Sequence, residues 1–170
     1  MPTEAEVRVM TMLSGIEVPR TAGDAIAALG NEAVTVVCEA ALGAYAGVRD
    51  KVRTNAVSVL GGIDHPQAKE TIALLVTDDE PDIAVRAMRS AAAQGNAIAV
   101  PRLDDVLRRP ASSPILAAEA VSALRAIDTP AARESLERYR AATDGAPAHR
   151  QSPVVREMLA QQPDRRASAT

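Results

Sequence analysis

Apolar residues return at helical spacing along almost the whole chain, and caps and breakers divide the pattern into short helices. Thr3 is the cap of a first helix with Glu4 and Glu6 in its first turn, a stripe of Val7, Met10 and Leu13, and an end at Gly15 and Pro19. A short helix over about 21–29 stops at Gly30-Asn31 and is followed by one over about 31–45, with Val34, Val37, Cys38, Ala41 and Leu42 on one face. The helix over about 48–61 carries Val52, Ala56, Val59 and Leu60 and ends at Gly61-Gly62. Pro66 opens the next, with Ala68, Ile72, Leu75 and Val76 apolar. The acidic loop Thr77 to Glu80, with Pro81, caps a helix over about 81–94, and further helices are predicted over about 97–109, 114–126, 130–142 and 153–161. That makes ten helices, or five pairs, joined mostly by connections too short for anything but roughly antiparallel neighbours. Residues 143–152 read as a linker containing Gly and Pro, and 161–170 as a disordered tail with little to bury. No strand pattern competes.

The chain also repeats itself. Ala56 to Ile72 reads AVSVLGGIDHPQAKETI, and Ala120 to Leu136 reads AVSALRAIDTPAARESL. A degenerate copy lies halfway between them. Taking the Val-Arg dipeptide as its mark, Val52-Arg53 is followed by Val85-Arg86 and then by Leu116-Ala117, with a weak echo at Val155-Arg156. In that register Arg89 stands where the flanking copies have Ala56 and Ala120. Repetition at a fixed period indicates a stack of small units rather than one thick core.

Composition agrees. There is no Phe or Trp, and Tyr45 and Tyr139 are the only aromatic residues, so the core is aliphatic and rich in alanine, which favours helices and lets them approach closely. A net charge of -3 indicates neither a nucleic-acid footprint nor an anionic-membrane surface. The single cysteine, Cys38, excludes an internal disulfide and has no flanking His or basic residue to stabilise a thiolate. The first residues, MPTEAEVRVM, lack a basic segment followed by an apolar one, and no run approaches a membrane span, so a cytoplasmic protein is expected.

The stretch DKVRTNAVSVLGGIDHPQAKETIALLVTDDEPDIAVRAM resembles HEAT-like repeats, especially the short class also seen in phycobilin lyase subunits. The resemblance covers about residues 21–142 and departs at Arg89, at Leu116-Ala117 and in the loop before Pro114. It implies an all-α fold, an α-solenoid of about five antiparallel helix pairs in a single domain over 1–160, and a role in holding a partner. It also implies a structural ladder in which Arg53 and Arg86 bond loop acids, for which Asp50 and either Asp78 or Asp79 are the candidates.

Signatures of catalysis are scarce. His65 and His149 lie in turns far apart, and neither has a second His or Cys at ligand spacing, so no metal or cofactor is expected. The adjacent acids Asp104 and Asp105 point in different directions on a helix, and those of the loop Asp78-Asp79-Glu80 serve as caps. The second helix of a HEAT pair usually lines the concave face. Projected at about 100° per residue, the outward positions are Thr54, Ser58 and Gly61, then Ala87, Ala91 and Gln94, then Ala118, Ser122 and Arg125. Such a groove, small and nearly uncharged, suits an apolar helix or extended peptide better than a nucleic-acid backbone. Its small residues are equally accounted for by tight helix packing. Arg125, where the first copy has Gly61, and Arg89 are candidates for a specific contact. The expected function is a non-catalytic scaffold or adaptor holding a protein or peptide. The alternative is an enzyme or enzyme subunit of the lyase or isomerase kind, with Arg89, Arg125, Tyr45 or an acid assisting.

Overall fold

The computed structural model describes residues 2–15, 21–45, 50–109 and 113–144, together with Glu157, and among them every regular element is helical. The elements are α1 (Glu4–Leu13), α2 (Ala22–Ala27), α3 (Asn31–Ala41), α4 (Asp50–Leu60), α5 (Pro66–Leu75), α6 (Pro81–Ala93), a 3-10 turn (Ala97–Ala99) leading into α7 (Val100–Arg108), α8 (Pro114–Ile127) and α9 (Pro130–Asp144). The helix expected over 153–161 and the tail over 161–170 lie outside the described residues, apart from Glu157, which is helical and exposed. No helix among the described residues is long and apolar enough to cross a membrane.

Local chemistry sets the boundaries. Thr3 and Glu6 form a reciprocal capping box at the start of α1, with the Glu6 carboxylate accepting from the Thr3 amide at 2.6 Å. Proline occupies the first turn of α5, α6, α7 and α8, where its missing N–H has no helical partner to lose. Two sequence expectations shift here. Val7 of the α1 stripe and Leu42 after α3 are about half exposed, and Val9 takes the buried place on α1 beside Leu13. No acid of the loop caps α6 through its side chain: Asp78, two residues before the N-cap Glu80, accepts from the Glu80 amide at 3.0 Å, and the Glu80 side chain makes no cap bond.

The helices pack in two rows. Helix α2 touches α4, α4 touches α6 and α6 touches α8; on the other side α1, α3, α5, α7 and α9 touch in the same succession. The rows meet through α3 on α4, α5 on α6, α7 on α8 and α9 on α8. Between them runs one aliphatic core. Where helices cross most closely the side chains are small: a Cβ on Gly23 of α2 would lie 2.9 Å from the backbone carbon of Gly62, a distance only glycine permits.

Burial and caps together fix the register of the repeat. Val52, Ala56, Val57, Val59 and Leu60 of α4 are buried, and their counterparts on α6, Ile83, Ala87, Met88, Ser90 and Ala91, are buried too. The counterparts on α8 are Leu116, Ala120, Val121, Ala123 and Leu124, of which all but the half-buried Leu116 are again buried. In this register His65, Asn96 and Thr129 coincide, and each caps the following helix by accepting a backbone N–H at 3.2 Å. Ala68, Ala99 and Ala132 coincide at full burial, and Gly95 and Asp128 coincide in the left-handed conformation, at φ 57° and 48°. Ile83-Ala84, not Val85-Arg86, is therefore the counterpart of Val52-Arg53. The middle copy begins two positions earlier than the dipeptide suggests.

Candidate functional site

The corrected register redraws the outward face of the row α4, α6, α8. Its triplets are Thr54, Ser58 and Gly61; Val85, Arg89 and Ala92; Ala118, Ser122 and Arg125. In all three helices the first and third positions are half-buried and the second is exposed. Ala87 and Ala91, expected to line this face, are fully buried between helices. Gln94 is a joint rather than a lining residue, its Nε2 donating to the carbonyls of Leu60 at 2.7 Å and Ile63 at 2.9 Å. Gly61 lies on the stripe and is also where α6 comes nearest, since a Cβ there would sit 2.9 Å from Ser90 Oγ.

The stripe is not free of charge. Arg89 occupies the position of Ser58 and Ser122, and its Nε and Nη2 grip the two oxygens of Glu119 on α8, the Nε bond being 3.2 Å. Glu119 accordingly holds the Arg89 guanidinium above its ordinary pKa. Arg86, just beside the stripe, donates to Ser58 Oγ at 3.2 Å, while Ser58 donates to the Thr54 carbonyl at 3.1 Å. Arg125 differs: its Nε and Nη2 are closed off from water and meet no acceptor among the described residues, and burial pulls its pKa down. Nε and Nη2 form the edge by which Arg89 holds its carboxylate.

No protein-family model matches this chain, and no curated protein matches it.

The remaining chemistry-bearing residues are absorbed into packing. Arg53 donates through Nε to the Ala41 carbonyl at 3.1 Å, and its other nitrogens pair with Asp78 at 2.6 Å and with Glu80, so one guanidinium ties α3, α4 and the loop before α6. Asp79 is exposed and takes no part in that cluster; the Asp50 side chain lies outside the described set. Among the described residues Arg86 pairs with no loop acid, and in the corrected register it is the counterpart of Asn55, not of Arg53. Asp104 is buried between Arg108 at 2.5 Å and Arg138 at 3.3 Å, joining α7 to α9, whereas its neighbour Asp105 is exposed. His65 is a cap, and His149 lies outside the described residues. Cys38 is buried, which raises its pKa against the smaller opposing effect of a Thr71 hydrogen bond. Among the described residues no three His, Cys, Asp or Glu side chains group as a metal would need.

Tyr45 sits apart from both stripe arginines, its hydroxyl directed at Glu39 Oε2 at 3.2 Å and Glu6 Oε1 at 3.4 Å. Desolvation and then the two carboxylates push its pKa from 10.0 up to about 12. Because the raised value favours the neutral phenol in the folded state, this contribution to stability is complete below pH 10 and is lost as pH rises toward about 12. Absorbance titration of the phenols should place Tyr45 near that upper value, and Glu39→Gln should move it back toward the ordinary one.

Sequence reasoning missed Asn96 and Asn55. Asn96 is buried, caps the 3-10 turn and donates to the Lys69 carbonyl at 2.8 Å. Asn55 donates to the carbonyls of Leu13 at 2.8 Å and Gly15 at 3.2 Å, fastening the end of α1 to α4. The coincidence of Asn96 with His65 and Thr129 was the signal available for the first; no local pattern marks the second.

Proposed function

We propose that this chain is a non-catalytic scaffold, stacked in the manner of a HEAT-like α-solenoid, that holds a protein or peptide along the outward stripe of α4, α6 and α8. The observation that carries this reading is the recurrence of one exposure pattern, half-buried, exposed, half-buried, in three successive helices of one row. Repeat arrays use such aligned positions as continuous binding surfaces. With Arg89 at its centre and Arg86 beside it, the stripe favours a partner segment that brings acceptor groups among small apolar side chains. A purely apolar helix would take the Arg89–Glu119 pair and Arg86 out of water while offering no acceptor in exchange.

The test is charge reversal in the middle of the stripe. Arg89→Glu replaces an exposed side chain and breaks a surface ion pair worth about 0.2–1 kcal/mol, so the protein should stay folded. Partner affinity should fall at least about tenfold, as for loss of a central charged contact. Lys69→Ala, on α5 in the other row and paired with Asp64 at 2.6 Å, should bind as the unaltered protein does. Undiminished binding by a folded Arg89→Glu protein would sink the proposal.

A further inference from the structure

Arg53 holds Asp78 and Glu80, Arg89 holds Glu119, and Arg108 and Arg138 share Asp104. Arg86 holds no carboxylate. It is exposed on α6 beside the outward stripe, and among the described residues its hydrogen bond runs from Nη1 to a neutral hydroxyl, Ser58 Oγ of α4, at 3.2 Å. That hydroxyl gives its own proton to the Thr54 carbonyl at 3.1 Å, so a lone pair is what it turns toward Arg86. The bond fixes the guanidinium over the seam between α4 and α6 without neutralising it. Glu119 has both oxygens on Arg89, and Asp82, four residues before Arg86 on α6, is exposed and forms no ion pair among the described residues.

We infer that the partner of the stripe presents one carboxylate side chain, an Asp or Glu, to Arg86. This rests on the stripe reading above and adds which residue is the anchor and what it selects. With Nη1 on Ser58, the edge of Arg86 that remains is Nε with Nη2, and by that same edge Arg89 grips both oxygens of Glu119. An incoming carboxylate therefore finds at Arg86 the geometry that the protein itself uses one turn further along α6. The seam between α6 and α8 selects differently, because Arg89 and Glu119 already neutralise each other there. A segment lying across the three helices thus brings its acid over the α4–α6 seam and neutral residues over the α6–α8 seam, where Ala118 and Ser122 stand. A tract of several acids is disfavoured, since those beyond the first would face Glu119.

A random peptide library displayed on phage and selected against the full chain tests it. Binders should share a single Asp or Glu among small and apolar residues. In the strongest binder, changing that acid to its amide should weaken binding several-fold. The same change should have no effect on binding to the Arg86→Gln protein, as a double-mutant cycle requires of a direct pair. Arg86 is exposed, so Arg86→Gln leaves the fold in place. Binders without an acid, or with an acid that matters equally to both proteins, would overturn the inference, and if Arg89→Glu still weakens them the stripe itself stands. Binders indifferent to both Arg86→Gln and Arg89→Glu, or a library that yields none, would overturn the stripe reading along with it.

Discussion

Ala91→Arg is expected to leave the protein unfolded, whereas Ser58→Arg and Ser122→Arg are expected to leave its stability within about 0.5 kcal/mol of the original. Ala91 is fully buried on α6, and a guanidinium forced there has neither room nor an acceptor. An uncompensated buried charge costs about 3–5 kcal/mol, and overpacking adds about 1–3 more. Together these are comparable with the whole stability of a small domain, about 5–15 kcal/mol. Ser58 and Ser122 are exposed, and the same position in α6 already holds an arginine. Urea unfolding of the three variants measures the difference directly. If Val85-Arg86 were the counterpart of Val52-Arg53, Ala91 would share the environment of the two serines, and the three substitutions would be equally harmless.

Asn96→Ala should cost about 2 kcal/mol. Its side chain accepts from the Ile98 amide at 3.2 Å and donates to the Lys69 carbonyl at 2.8 Å, so one truncation removes a cap and a hydrogen bond to the neighbouring helix. A lost cap is worth about 0.5–2 kcal/mol and an intramolecular hydrogen bond about 0.5–1.5. Thr129→Ala, at the corresponding cap, loses one bond to the Ala132 amide and no contact with another helix, and should cost about 1 kcal/mol. Equal losses for the two in thermal or urea unfolding would show that Asn96 is only a cap.

The helices were legible in the sequence because each boundary carries its own chemistry: the capping box at Thr3, prolines at 66, 81 and 114, and the glycine stops at 30, 61 and 95. The flanking copies were legible because Ala56 to Ile72 and Ala120 to Leu136 are so alike. The register of the middle copy was not. Val85-Arg86 imitates Val52-Arg53 in sequence, yet it stands two positions beyond the true counterpart, enough to turn a helix face by roughly 200°. Ala87 and Ala91 thereby went from core to surface and Arg89 from surface to core. Caps resist this error, since His65, Asn96 and Thr129 must each meet a specific backbone N–H. Long-range bonds such as Asn55 to the end of α1, or Arg53 to the Ala41 carbonyl, leave no periodic trace and required the fold itself.

The proposed binding surface is tested most directly by placing a photo-crosslinking amino acid at Ser58 in the full chain, expressed in its native cell. An adduct of discrete mass is expected from position 58 and is lost when Arg89→Glu is added, with no adduct when the crosslinker stands instead at Lys69 in the other row. Adducts from position 69 but not from 58, or an adduct at 58 indifferent to Arg89→Glu, would contradict it.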